Sequence, residues 1–448
     1  MTLADARKRL PIVDGLPAPD DRIVRRTAKR GEVPTPRYAV WELTLACDQH
    51  CIHCGSRAGH ARPGELDTDE CLDVVRQLRE LGIGEITLVG GEAYLRNDLI
   101  LIVRAIREHG MRPSLTTGGR SLTRARAEAL AEAGLWNAAV SIDGLEASHD
   151  RLRGVVGSWR AAFDAIAELR RAGIPTSANT QINALTKPEL PALLELIGAA
   201  GAFGWQLQLT AAFGNAADHP EILLQPYELL EVFDSLEQIV VRARELGMIL
   251  WPGNNLGYFG PLEGELRSVQ KLAGHYRGCV AGKYQIGLES DGTVKGCPSL
   301  GGPQNHAGNV RGHSLRELWE SSAALAYTRE RSQADLWGFC ATCYYAEVCR
   351  GGCTATAEPL LGRPGNNPYC HHRALELDRE GLRERVEPVA AAPGIPFDHG
   401  YYRIVREPKD EADRARSGVV GTDEPRVPRT VEPYGEGRPI GDDEYGLQ

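Results

Sequence analysis

Three features of this 448-residue chain predict an α/β fold with parallel strands, followed by a small cysteine-rich region. Six strand-like runs alternate with six helix-like runs between residues 38 and 250, the pattern in which crossover helices join parallel neighbours. Glycine and polar residues recur at the carboxyl end of each strand run, where parallel barrels and doubly wound sheets both build their sites. Ten of the eleven cysteines fall into two groups with short spacings. From these residues alone the sheet is either a barrel or an open sheet.

The elements follow in order. Residues 1–37, rich in Arg, Pro and Asp, carry no clean period and read as an arm. YAVWELTL (38–45) leads into the first cysteines. A helix is predicted over 68–81, with Asp67 or Thr68 as N-cap and Glu70 in its first turn. EITLV (85–89) precedes Gly90-Gly91-Glu92 and a helix over 97–109; PSLTT (113–117) precedes Gly118-Gly119 and a helix over 123–133. AAVSI (138–142) ends at Asp143-Gly144, with a helix over 158–172. TSANTQIN (176–183) precedes a helix over 187–200, and WQLQLT (205–210) one over 226–246. Asn179, Gln181 and Asn183 share one strand face, as do Gln206, Gln208 and Thr210. A sealed barrel core is filled by Val, Ile and Leu, so these faces point either into a lumen that holds a polar ligand or to solvent.

Composition narrows the function. With 51 basic and 60 acidic side chains the formal charge is −9, against a protein that binds nucleic acid by neutralising phosphates. No apolar run approaches ~18 residues, so no membrane partner is expected. MTLADARKRLPIVDG lacks the apolar segment of a secretory signal, which predicts a cytoplasmic protein with reduced thiols. Cys71 stands alone and reads as a small buried hydrophobe. Cys47, Cys51 and Cys54 form Cys-x3-Cys-x2-Cys. Cys340, Cys343, Cys349 and Cys353 form Cys-x2-Cys-x5-Cys-x3-Cys, with Cys279 and Cys297 upstream and Cys370 downstream. Thiolates so spaced hold a soft metal or an iron–sulfur cluster. Structural zinc suits Cys-x2-Cys pairs, but seven thiols are awkward for one zinc. The first group, with three thiols, leaves a cluster iron open, as catalytic metal sites do.

Cys47-x3-Cys51-x2-Cys54 after the first strand, with Gly90-Gly91-Glu92 after the second, closely resembles the radical S-adenosylmethionine (SAM) superfamily. The resemblance implies a partial, six-unit parallel β/α barrel over 38–250 and a four-iron cluster whose open iron binds SAM. One electron from that cluster then yields a 5′-deoxyadenosyl radical that removes a substrate hydrogen atom. It further implies that Gly90, Gly91 and Glu92 meet the methionyl ammonium, that Ser141 and Asp143 contact the ribose or methionyl group, that Arg153 pairs with the methionyl carboxylate, and that Asn179 or Gln181 reaches the sugar. Ala93 stands where such motifs often have proline.

The second cysteine group resembles the SPASM extension, here 276–384, with Asp291-Gly292 turning a hairpin. By that resemblance Cys340, Cys343, Cys349 and Cys370 hold one auxiliary four-iron cluster. Cys279, Cys297 and Cys353 hold a second with only three thiolates, because the eighth cysteine of fuller versions is missing. The resemblance implies a peptide or protein substrate that is crosslinked or oxidised, and an electron donor such as flavodoxin or ferredoxin. Neither arm nor tail shows the βββααα-like pattern of a leader-recognition domain, so a separate recognition protein is expected where the substrate is ribosomal. The alternative is oxidation or rearrangement of a small molecule in cofactor or metabolite synthesis; a non-catalytic scaffold has no use for an open iron. No catalytic base is legible: Asp218, His219 and Tyr258 are loop candidates only. In the connecting region 251–275, Asn254, Asn255 and Tyr258 are expected to line the substrate mouth. The tail 385–448, rich in Pro, Gly and charge, is expected to be disordered or loosely docked.

Overall fold

The structure, a computed structural model, describes residues 34–267 and 274–428. Seven parallel strands lie side by side in chain order: β1 (Tyr38–Glu42), β2 (Glu85–Val89), β3 (Arg112–Thr117), β4 (Asn137–Ser141), β5 (Thr176–Ile182), β6 (Gly204–Leu209) and β7 (Ile249–Pro252). Helices α1 (Thr68–Leu81), α2 (Leu99–Glu108), α3 (Arg124–Glu132), α4 (Glu146–Arg153), α5 (Ser158–Arg171), α6 (Leu190–Ala199), α7 (Asn215–Asp218) and α8 (Leu229–Glu245) connect them. The predicted N-terminus of α1 is a capping box between Asp67 and Glu70, and Gly82 ends the helix in the left-handed region. Trp41, Ile86, Leu88, Leu115, Val140, Ala178 and Trp205 are buried among the apolar core residues.

The opposite face is polar. Ser141 pairs in register with Asn179, Asn179 with Gln206, and Gln181 with Gln208, so three strands place polar side chains in rows. All five are half-buried.

Several expectations change. A seventh strand follows the six predicted strand–helix units, because Ile249–Pro252 pairs with β6 in a stretch whose Pro and Gly masked the strand. Helix α4, set by the buried side of EASHDRLR, was not predicted. The cysteine-rich domain shares the sheet of the core: β8 (Gln285–Leu288) runs parallel to β1, and β9 (Thr293–Lys295) and β10 (His306–Asn309) extend the same sheet. The result is one ten-stranded sheet whose ends are β10 and β7. The expectation for the tail fails over its described part. β11 (Leu382–Ala390), β12 (Tyr401–Pro408) and β13 (Gly421–Asp423) form an antiparallel sheet, docked by a buried Arg373–Glu384 pair at 2.6 Å. Its charges, which read as disorder, pair across strands: Arg383 and Arg385 with Glu407, Arg403 with Glu387. Residues 429–448, and residues 1–33 of the arm, lie outside the described residues. Among the described residues, no helix is long and apolar enough to cross a membrane.

Candidate active site

The loop after β1 carries Cys47, Cys51 and Cys54, and three elements grip its backbone. From β2, the Gly91 and Glu92 N–H groups donate to the Thr44 and Ala46 carbonyls, each at 2.8 Å. A Cβ on Gly90 or Gly91 would collide with those carbonyls, which explains the glycine pair. From the end of α4, the Leu152 carbonyl accepts from Ile52 at 2.9 Å and the Arg153 carbonyl from His50 at 3.1 Å. From α7, Asn215 donates its backbone N–H to Cys54 and its side-chain amide to Cys51, at 2.9 and 2.8 Å.

A fourth grip comes from the far end of the chain. Arg57, three residues past Cys54, has φ +49° and donates to Asp398 at 2.7 Å, to Asn215 at 3.0 Å and to Asp218 at 2.5 Å. The Asp398 carboxylate also accepts from the Gly394 and Ile395 N–H groups at 2.5 and 2.9 Å.

The electrostatics favour a cation at the thiols. Burial pushes Cys47 up to about 12 and raises Cys51 further. Such thiols ionise only when a metal compensates the charge. Arg153 lies beside them, with Nη1 at 3.9 Å from the Cys51 sulfur. Its guanidinium is held by Asp143 at 2.8 and 2.6 Å, and Asp143 also meets His53 at 3.1 Å and the Gln181 N–H at 3.0 Å. Burial alone would raise the Asp143 carboxyl, but Arg153 and His53 outweigh it and hold it well below the usual range. Glu92, 3 % exposed, goes the other way: burial lifts it to about 7, although Thr117 Oγ1 and the Gly118 N–H donate to it at 2.6 and 2.5 Å.

The structure thus places Glu92, Asp143 and Arg153 around the cysteine loop, and Ser141, Asn179 and Gln181 on the adjacent polar rows. Arg153 is a buried ion-pair member at the end of α4, and Asp143 engages Arg153, His53 and Gln181 through its two oxygens. One expectation changes. Tyr258 and Asn255 do not line a mouth: Tyr258 is fully buried, and Asn255 bonds the Leu209 backbone in both directions, at 3.1 and 2.8 Å. The loop bases are also engaged, Asp218 by Arg57 and His219 by Glu221 at 3.1 Å. Sequence reading missed Gln49, His53, Arg57, Asn215 and Asp398. Only Gln49 and His53 had a local signal, lying between the cysteines.

The residues fit an iron–sulfur cluster with a polar ligand. Two buried amide atoms near the loop, Gln49 Nε2 and Asn179 Oδ1, have no protein partner and would be satisfied by a ligand rich in hydroxyl, amino and carboxylate groups. Cys71 is buried alone on α1, and the other seven cysteines fall into two groups by their thiol neighbours. Burial raises the Cys349 thiol, and Cys370, Cys340 and Cys343 facing it raise it further. Burial lifts Cys353 to about 12, with Cys279 and Cys297 as its thiol neighbours.

Comparison with known proteins agrees with this geometry. Residues 41–197 match the radical SAM superfamily model, and residues 279–344 match SPASM, an iron–sulfur cluster-binding domain. The chain is 31 % identical over 351 residues to the AdoMet-dependent heme synthase of Methanosarcina barkeri, covering 75 % of this chain and 97 % of that one. It is 30 % identical over 367 residues to the mycofactocin maturase MftC of Mycolicibacterium smegmatis, covering 79 % and 86 %. Its fold matches Streptococcus suis SuiB bound to S-adenosylmethionine with a TM-score of 0.58 at 16 % identity, over 75 % and 76 % of the two chains. These matches, the gripped three-cysteine loop and the two auxiliary cysteine sets make the chain a member of the radical SAM superfamily with a C-terminal SPASM domain, an enzyme that uses SAM and four-iron clusters.

Proposed function

We propose that this enzyme modifies a peptide or protein side chain after hydrogen-atom abstraction. The observation that carries the reading is the ten-stranded sheet that does not close on itself. Its ends, β10 and β7, are unpaired with each other, and its inward rows are polar. A sheet that does not close, with a polar face, suits a chain-like substrate with polar backbone groups. The likeness to a maturase over most of both chains supports the same reading.

A bound cluster would supply one electron to SAM, and the radical chemistry would belong to the cofactor. The chain's own residues bind and orient. Cys47, Cys51 and Cys54 would hold the cluster. Glu92, with lone pairs left after Thr117 and Gly118, would accept from the methionyl ammonium. Arg153, fixed by Asp143, would pair with the methionyl carboxylate. Ser141, Asn179 and Gln181 offer polar partners to the sugar. Cys340, Cys343, Cys349 and Cys370 hold one auxiliary cluster, and Cys279, Cys297 and Cys353 the other.

The second reading, a small-molecule substrate, is favoured by the likeness to heme synthases. The test is anaerobic turnover with SAM and reductant, in which fractions of a cell extract are screened for stimulation of 5′-deoxyadenosine formation. Stimulation is expected from a peptide-sized fraction and should disappear after protease treatment. Stimulation that survives the protease would favour the small molecule and overturn the peptide reading.

A further inference from the structure

The second auxiliary site brings together three thiols where the first brings four. What else faces those three is unusual. Tyr276, three residues before Cys279, is 3 % exposed, and its hydroxyl has no hydrogen-bond partner. The residue is held firmly: its N–H donates to Glu263 Oε1 at 2.6 Å. Its ring packs edge-on against Tyr258, centroids 4.6 Å apart. Tyr258 in turn accepts from the Cys353 N–H at 3.2 Å and donates to the Asn254 carbonyl at 2.6 Å. The Tyr276 phenol is therefore packed beside the element that carries Cys353, and it faces the thiols of Cys279, Cys353 and, more weakly, Cys349. The Tyr327 hydroxyl is also buried without a partner and faces Cys279 and Cys297. Asn254 approaches the Cys279 sulfur at 4.0 Å.

Two partnerless buried hydroxyls at one place disfavour the fold. Phenylalanine would pack equally well if these rings served the core alone. The hydroxyls make sense if their partner is a group that the protein chain does not itself provide. His275 Nε2 is also partnerless, but its ring packs against Phe259, 6.0 Å between centroids, and its Nδ1 is turned to the Tyr276 carbonyl at 3.0 Å.

We propose that Tyr276 supplies the fourth ligand of the cluster held by Cys279, Cys297 and Cys353, with the Tyr327 hydroxyl donating to a sulfur of the same cluster. Ligation forms one iron–oxygen bond, releases the phenolic proton to solvent and changes no oxidation state. A phenolate is an established iron donor, and the Arg267 guanidinium, 5.1 Å from the Tyr276 ring centroid, offsets its charge. The proposal rests on the family reading above. It makes this cluster distinct from the one held by Cys340, Cys343, Cys349 and Cys370, with a harder ligand and a lower potential expected.

The test uses the full chain, reconstituted anaerobically, in a Cys47/Cys51/Cys54→Ala background so that only auxiliary clusters contribute. Iron and sulfide content, Mössbauer spectra and the EPR of the reduced protein are compared for the parent, Tyr276→Phe, Tyr276→Cys and Tyr327→Phe. The expected result is about one iron fewer per chain, or a corner iron that now binds added cyanide, in Tyr276→Phe. Tyr276→Cys should restore the iron with a raised potential, and Tyr327→Phe should keep the iron while lowering the potential. Iron content and spectra in Tyr276→Phe identical to the parent would overturn the proposal. A parent that takes up no iron would instead overturn the cluster reading itself.

Discussion

Exchanging Glu92 for glutamine separates what this carboxylate does to the fold from what it does for the cofactor. Burial lifts the carboxyl from its ordinary 4.5 to about 7, against the opposing pull of Thr117 and Gly118. At about 1.4 kcal/mol per pH unit, that rise corresponds to about 3 kcal/mol. An acid raised in the folded state binds more protons folded than unfolded between these two values. Stability of the iron-free chain therefore falls as pH rises from 4.5 to about 7, and stays reduced above that. Glu92→Gln cannot ionise. Its amide oxygen can take the Gly118 N–H, and its amide can donate to Thr117 Oγ1, which still has a lone pair beside its bond from the Gly119 N–H. In urea denaturation at pH 8, the iron-free variant should exceed the wild type by up to about 3 kcal/mol, and the gap should close toward pH 4.5. The reconstituted variant should nevertheless bind SAM at least about tenfold more weakly, because a neutral amide cannot form the charge-assisted bond to an ammonium. A variant less stable than the wild type at pH 8, with no pH dependence in the difference, would refute the reasoning.

Two further outcomes follow from the same loop. Asp143→Asn strands the buried Arg153 guanidinium and should lower the free energy of unfolding by about 3–5 kcal/mol at neutral pH. Because the Asp143 carboxyl is depressed, that difference should shrink as pH falls below 3.8, as a denaturation series in acid would reveal. Asp398→Ala releases Arg57 from the C-terminal segment and should make the Cys47/Cys51/Cys54 cluster bleach severalfold faster in air. The absorbance and EPR decay of that cluster, measured against the auxiliary ones, check it; equal decay in variant and wild type would show that Asp398 does not steady the loop.

What could be read in the sequence was what repeats or clusters locally. The strand–helix alternation, the capping box at Asp67 and Glu70, and the cysteine spacings are all set by neighbours within a few residues. The division of the auxiliary cysteines into a four and a three came from resemblance, and Cys349 and Cys353 each face the partners that this division gives them. What failed was non-local. Charges in LRERVEPVA read as solvated because their partners, Glu407 and Arg403, lie more than a dozen residues away on β12. Tyr258 looked like a loop aromatic at a mouth because nothing in WPGNNLGYFGP signals that the chain turns inward there; its φ of +81° and its bond from Cys353 are products of the packed auxiliary site.

The same distinction explains why the cysteine loop needs so many distant partners. A short loop with three buried thiols has little apolar surface with which to hold itself, and each thiolate repels its neighbours until a cluster binds. Its backbone is fixed instead from β2, α4, α7 and the segment at Asp398, which together span most of the chain. Arg57 can keep its left-handed φ because Asp398, Asn215 and Asp218 all bind its side chain at once. A cluster site held in this way depends on the C-terminal segment at Asp398 as well as on the barrel elements. The C-terminal sheet is thus part of the catalytic architecture, although no residue in it touches a cysteine of the radical site directly among the hydrogen bonds described.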